Sequence, residues 1–306
     1  MDEEGNAIGE DGEWFSGNEI VSDNTPGAPK IVQSNADGNT DMFFASPVGT
    51  WNKTYSAQHV GTLGGWTGTN EIVSAKGKGR IQNLFFGSAD VSMLYLTDSE
   101  NGDALFVDDV YTGSPEGIAE KTARLFQITE IYAGAGDDIV DMTSQRFAYT
   151  GDLTGIHGGD GNDVIWANSG DNQLFGDAGD DRIIGSSGYD FIVGGIGNDR
   201  MHGGGGDDIF TFCENWGTDT VEQLADGSVL LWFASGSEEN WDADNLTYTD
   251  GENNVTVSGV TADQITLKFG NDWSMLYSEV TLAGGFLEFS SQRIFDKSGK
   301  GILASL

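Results

Sequence analysis

The chain has 306 residues, enough to bury a core in one or two domains. Asp and Glu number 49 against 14 Lys and Arg, a formal net charge of −35 that excludes nucleic acid as a partner and disfavours an anionic membrane surface. At that charge self-repulsion opposes the compact state, so a cationic component is expected.

The N-terminus, Met1-Asp2-Glu3-Glu4-Gly5, lacks the charged-then-apolar order of a secretory signal peptide. Residues 1–45, rich in Gly, Asn, Asp and Ser with Pro26 and Pro29, read as a linker or loosely docked arm. Residues 46–131 form an N-terminal β region with short strand-like runs such as 80–86 and 91–96. Ser114-Pro115-Glu116 has a cap, a first-turn proline and an acid near the helix dipole, which predicts one short helix over about 115–124.

Within this region, residues 98–109 are strongly acidic. Asp98, Asn101 and Asp103 around Gly102 are placed to wrap a cation in a loop, with Asp108 and Asp109 closing it. The spacing is not that of an EF-hand. The plain alternative is a solvated acidic hairpin turn.

From residue 132 the pattern changes. Six blocks of nine run without a break over 158–211: GGDGNDVIW, ANSGDNQLF, GDAGDDRII, GSSGYDFIV, GGIGNDRMH and GGGGDDIFT. An earlier copy, AGAGDDIVD, occupies 133–141 and carries Asp137 and Asp138. The phase between them is lost, so 142–157 is an insertion or a set of degenerate coils. Position 4 is always glycine: Gly161, Gly170, Gly179, Gly188, Gly197 and Gly206. Position 6 is Asp163, Asn172, Asp181, Asp190, Asp199 and Asp208, and position 8 is always apolar. This is the G-G-x-G-x-D-x-U-x pattern of calcium-binding parallel β-rolls.

The chemistry follows from the positions. Glycines permit the positive φ of a tight turn, which points carbonyl oxygens inward. The carboxylate adds a hard anionic oxygen, and together these suit calcium with its six to eight oxygen ligands. Two carboxylates ~4 Å apart at an effective dielectric near 20 repel by roughly 4 kcal/mol, so the metal-free chain is expected to be largely unfolded. Each nonad makes half a coil, so turns stack on the next but one. The position-6 residues then form two columns: Asp163, Asp181, Asp199, with Gly161, Gly179 and Gly197 in the same turns, and Asn172, Asp190, Asp208. Asn172 is neutral, so the second column should hold its first calcium more weakly. The plain alternative is that the columns only build a scaffold.

Positions 7 and 9 face outward. On the second column they are Gln173, Phe175, Phe191, Val193 and Ile209, so a flanking β element is expected to cover that face. On the first they include Val164, Trp166, Arg182, Ile184, Arg200 and His202, predicting a partly exposed face whose arginines could meet an anionic partner. Cys213, the only cysteine, excludes an internal disulfide and reads as a free buried thiol.

Residues 212–306 form a C-terminal β cap, with strands expected around 229–233, 254–257, 265–269 and 286–289 and a turn at Asp250-Gly251. Residues 46–306 read as one integrated, mostly β domain: a calcium-bound parallel β-roll over 132–211, flanked by and packed with β-sheet elements. No stretch approaches the ~18 apolar residues of a membrane span, so no membrane insertion is expected.

Enzyme signatures are missing. Three histidines, His59, His157 and His202, form no H-E-x-x-H, and there is no G-x-S-x-G elbow. The chain is therefore read as a non-enzyme. A glycosidase-like carboxylate pair among 49 acids stays open, as do a secreted hydrolase fragment and a purely structural secretion scaffold.

Gly64-Gly65-Trp66-Thr67-Gly68-Thr69, Asp103 to Asp109, Ala133 to Asp141 running into Ser144-Gln145-Arg146-Phe147, and Met201 to Val221 together resemble the ligand-binding region near the C-terminal end of giant bacterial RTX adhesins. The resemblance covers roughly residues 50–270. It implies a monomeric, calcium-dependent module of a larger chain that binds peptides or proteins on host or neighbouring cell surfaces. It also implies export by type I secretion to the cell exterior. It fixes no ligand-contact residue.

Overall fold

In this computed structural model the described residues are 40–45, 47, 49–51, 54–56, 72–81, 85–87, 91–107, 125–143, 155–213, 215–223, 227–270, 293–295 and 301–303. They are nearly all β. Two long sheets, of nine and ten strands, face each other and share the chain alternately.

The nine-stranded sheet runs Thr40–Phe44, Val91–Tyr95, Glu130–Ala135, Gly155–Asp160, Asn172–Ala178, Asp190–Ile196, Asp208–Phe212, Val229–Phe233 and Ile265–Phe269, parallel throughout. The ten-stranded sheet begins with Gly79–Arg80, Asp103–Phe106, Ile139–Asp141 and Val164–Trp166. It continues in parallel through Arg182–Ser186, Arg200–Gly204, Thr218–Glu222 and Asn253–Ser258. Thr247–Asp250 and Trp241–Asp242 then close it antiparallel. Parallel pairing of strands alternating between two sheets is a β-roll.

The register confirms the half-coil reading. Asn172 pairs with Asp190, and Ile165 with Ile183 and then Met201. Position 8 points inward from both sides, because successive side chains on a strand alternate faces. Leu174, Ile192 and Phe210 meet Ile165, Ile183 and Met201 in one core, each fully buried. At the C-terminal end Phe212, Phe233, Tyr248 and Phe269 stack or tilt against one another and extend that core.

The roll extends on both sides of the nonads. Strand Asp103–Phe106 and strand Thr218–Glu222 continue the same sheet, and Thr40–Phe44, in the segment expected to be an arm, is the edge strand of the other. Coils of unequal length keep register: the segment around 144–154 lies between strands that pair as neighbours, Glu130 with Gly155. The predicted hairpin turn at Asp250-Gly251 is present, with Gly251 at φ 67°. The helix expected over 115–124 and the strand expected at 286–289 lie outside the described residues.

Part of each outer face is buried, and among the described residues no separate β element is seen over the nine-stranded one. Phe175, Phe191, Val193 and Ile209 are buried and cluster with Trp232. The other face differs from expectation, since Trp166 and Ile184 are buried with Trp51, Ala75 and Phe106 rather than exposed. The physical reason is Trp51, whose ring packs edge-on against Phe106 and whose Nε1–H donates to the carbonyl of Ala104. The face stays partly open, as expected, at Val164 and Arg182, which are half-buried, and at Arg200, which is half-exposed and lies 3.9 Å from the carboxylate of Glu222. Cys213 forms no disulfide and is partly exposed rather than buried.

Candidate metal centre

The turns that join the two sheets repeat a backbone conformation that only glycine sustains. Gly161, Gly179 and Gly197 have φ of 138°, 132° and 149°. A Cβ on each would strike the carbonyl of the coil before it, at Gly136, Gly161 and Gly179. At these three turns position 4 is glycine because coils at strand spacing leave no room there; at Gly170 a Cβ would meet only Oδ1 of Asn168, at 3.2 Å.

This stacking lines up the aspartates. The backbone N–H of Asp138 donates to Oδ1 of Asp163 at 2.7 Å, Asp163 to Asp181 at 2.8 Å, and Asp181 to Asp199 at 2.9 Å. The ladder reaches beyond the nonads at both ends. The N–H of Asp199 donates to Oδ1 of Asp219 at 2.8 Å, and that of Asp103 to Oδ1 of Asp138. The sequence separations along it are 35, 25, 18, 18 and 20 residues.

Each carboxylate thus commits one oxygen to its neighbour. The other oxygen, Oδ2 of Asp138, Asp163, Asp181, Asp199 and Asp219, is buried with no hydrogen-bond partner. The space beside it is a cradle: a Cβ on Gly158, Gly176 or Gly194 would collide with Oδ2 of Asp163, Asp181 or Asp199 respectively. At Gly158 and Gly176 it would also meet the next coil's carbonyl, from Gly176 and Gly194. Among the described residues no three His, Cys, Asp or Glu side chains converge on a point. The donor set is instead one carboxylate oxygen per coil with backbone carbonyls, hard oxygens that fit calcium and not a soft metal. A bound calcium would supply the positive charge these oxygens lack.

The electrostatics agree. Burial pushes the Asp138 carboxyl up to about 9, against an opposing backbone hydrogen bond and the Lys78 ammonium, which donates to the carbonyl of Asp137. Burial likewise raises Asp181 and Asp219 to about 9, and Asp163 and Asp199 to about 7. Buried carboxylates that cannot ionise cheaply are what a missing counter-charge produces.

The opposite column holds Asn172, Asp190 and Asp208, all buried. The N–H of Asn172 donates to Oδ1 of Asp190 at 3.0 Å, and that of Asp190 to Oδ1 of Asp208 at 2.9 Å. Burial raises Asp190 to about 7 and Asp208 to about 8.

Other candidate residues fall differently. Asp137 is exposed and starts a surface ladder: Asn162 N–H donates to its Oδ1 at 2.9 Å, Asp180 N–H to Oδ1 of Asn162, and Asn198 N–H to Oδ1 of Asp180, each at 2.8 Å. Asp and Asn alternate there, so no two carboxylates are neighbours. These residues stand at position 5 of their nonads, one before the buried column. Of the acidic loop, Asp98 and Asn101 are exposed, while Asp103 is buried. Its Oδ2 accepts from Thr97 N–H and Oγ1–H at 2.7 and 2.6 Å, and its place is in the aspartate column rather than in a separate loop. Asp108 and Asp109 lie outside the described residues.

A family model for the RTX calcium-binding nonapeptide repeat matches in four copies, over residues 130–141, 156–183 and 175–210. The chain carries RTX calcium-binding repeats. Such repeats bind calcium and are typical of proteins exported by type I secretion, and the matched segments span the aspartates from Asp138 to Asp208. Asp103, Asp219 and Gln223 fall outside them. No curated protein matches the chain. Among the described residues no helix is long and apolar enough to cross a membrane.

Proposed function

We propose that this chain is a calcium-dependent ligand-binding module of a secreted RTX adhesin, acting outside the cell on peptides or proteins of other cell surfaces. The observation that carries the reading is the buried column of partnerless carboxylate oxygens in a chain of net charge −35. Such a column folds only where calcium is abundant. Where free calcium is scarce, the carboxylates oppose the fold and leave the chain open for export. Binding activity is then confined to the exterior. The upstream segments, from Asp103 into the repeats, supply the resemblance to adhesin ligand-binding regions.

The module is read as non-catalytic. His157 is stacked between Tyr132 and Phe175, and burial pushes His202 down to about 4, so it stays neutral. His157 Nδ1 also lies 3.5 Å from the Asp177 carboxylate, and the reading takes that pair as part of the packed sheet face.

The test is binding of the purified chain to an array of peptides, including free C-terminal ends, in millimolar calcium and in excess chelator. Calcium-dependent retention on a defined subset supports the proposal. Absence of retention on every peptide in calcium, with the chain folded, contradicts it.

A further inference from the structure

We infer that calcium is held along one side of this roll only: the Asp138-to-Asp219 column takes the ions, and the opposite column is closed by the side-chain amide of Gln223 and by its own hydrogen bonds. The inference rests on calcium being the cation of the repeats.

The two columns look alike in sequence and differ in who satisfies the second carboxylate oxygen. On the first side that oxygen has no partner at any of the five aspartates. The second side keeps the same cradle at Gly185, where a Cβ would meet Asp190 Oδ2 and the carbonyl of Gly203, but there every carboxylate oxygen is taken and the buried oxygens left without a partner are the neutral amide ones of Asn172 and Gln223. Oδ2 of Asp190 accepts the N–H of Ser186 at 2.6 Å. Oδ2 of Asp208 accepts Nε2 of Gln223 at 2.7 Å, and the same nitrogen donates to the carbonyl of Gly206 at 3.0 Å. A buried –NH2 bridging a carboxylate and a turn carbonyl makes the contacts a cation makes in the other column. The cradle beside Gly203 is occupied accordingly: a Cβ there would meet both Asp208 Oδ2 and Gln223 Oε1. At the other end Asn172 does the same within its own turn, its Nδ2 donating to the carbonyl of Gly170 at 2.5 Å and to Oδ1 of Asp190 at 2.7 Å.

Asp219 carries the converse. It lies outside the matched repeats, yet it is 1% exposed, its Oδ1 accepts the N–H of Asp199, and its Oδ2 has no partner. The next coil puts Val255 opposite it, so Asp219 is the last carboxylate of the ion-holding column. A repeat pattern would assign a ligand at Asp190 and none at Asp219; the hydrogen bonding assigns the reverse.

The experiment counts calcium ions per full chain by native mass spectrometry, at a calcium concentration that just saturates the unsubstituted protein. Asp219→Asn is expected to lose one ion and Asp190→Asn to lose none. Loss of an ion in Asp190→Asn, or a full complement in Asp219→Asn, overturns the inference. If either variant does not fold, Gln223→Glu reads the same claim. A carboxylate in place of the amide opens the Asp208 cradle, and the count is expected to rise by one; an unchanged count overturns it. Absence of any bound calcium in the unsubstituted chain removes the calcium reading itself, which separates that failure from this one.

Discussion

The backbone N–H of Asp163 donates to Oδ1 of Asp181, 18 residues on, at 2.8 Å, while Oδ2 of Asp181 is left buried without a partner. One carboxylate thus holds two adjacent coils in register and offers its free oxygen to a cation. Repeated along the column, this couples the packing of the roll to metal.

The stacking glycines should be intolerant of substitution. Gly179→Ala adds a Cβ against the carbonyl of Gly161 at φ 132°. We expect a loss of about 1–3 kcal/mol from the backbone conformation, with the collision adding to it. Gly251→Ala is the control, since Gly251 also has positive φ, at 67°, but nothing lies within 4 Å of its Cβ. Its cost should be about 1 kcal/mol. Chemical denaturation of both variants in calcium reads the difference, and equal costs would refute the close-stacking argument.

The buried part of the outer face makes a second prediction. Trp166 is fully buried against Trp51 and Ile184 although it points away from the central core. Trp166→Ala should cost about 3–5 kcal/mol, as for a core aromatic. Arg200→Ala, on the open part of the same face, should change stability by no more than about 0.5 kcal/mol. A tryptophan variant as mild as the arginine one would mean that this face is not packed.

The metal-free chain should be stabilised by acid. The column carboxyls are raised by burial from 3.8 to between about 7 and about 9. A raised folded-state value contributes stability that is whole below about pH 4 and fades as the pH climbs to the folded-state values. In chelator, the β-structure and melt that are absent at pH 8 should therefore be regained as the pH is lowered to about 5. In calcium the dependence should reverse, because protons compete with the ion for the same oxygens. A chelated chain that regains no β-structure on acidification over this range would contradict the buried, unpaired state of these carboxyls.

The roll was legible where the chain repeats at nine residues: position 4 for stacking, position 6 for the column and position 8 for the core all follow from 158–211. Asp103 and Asp219 were not legible as members of the column. Their coils are 35 and 20 residues long, and a fixed period cannot see a ladder whose loops vary while its hydrogen bonds stay constant. The same limit hid the stack of Phe44, Tyr95, Tyr132, His157 and Phe175 on the nine-stranded sheet. Its rings lie 4.4–5.4 Å apart, yet they come from segments sharing no motif. Gln223 was invisible for another reason: an amide standing beside an aspartate is a polar residue in sequence and a cation's substitute only in space.

The central claim is that calcium holds this fold. The most direct measurement is thermal melting of the full chain followed by circular dichroism, at pH 8, in millimolar calcium and then in excess chelator. The account predicts β-structure and a sharp cooperative melt in calcium, and loss of both in chelator. A chelated chain that keeps its β-structure and melts cooperatively at the same temperature would contradict it.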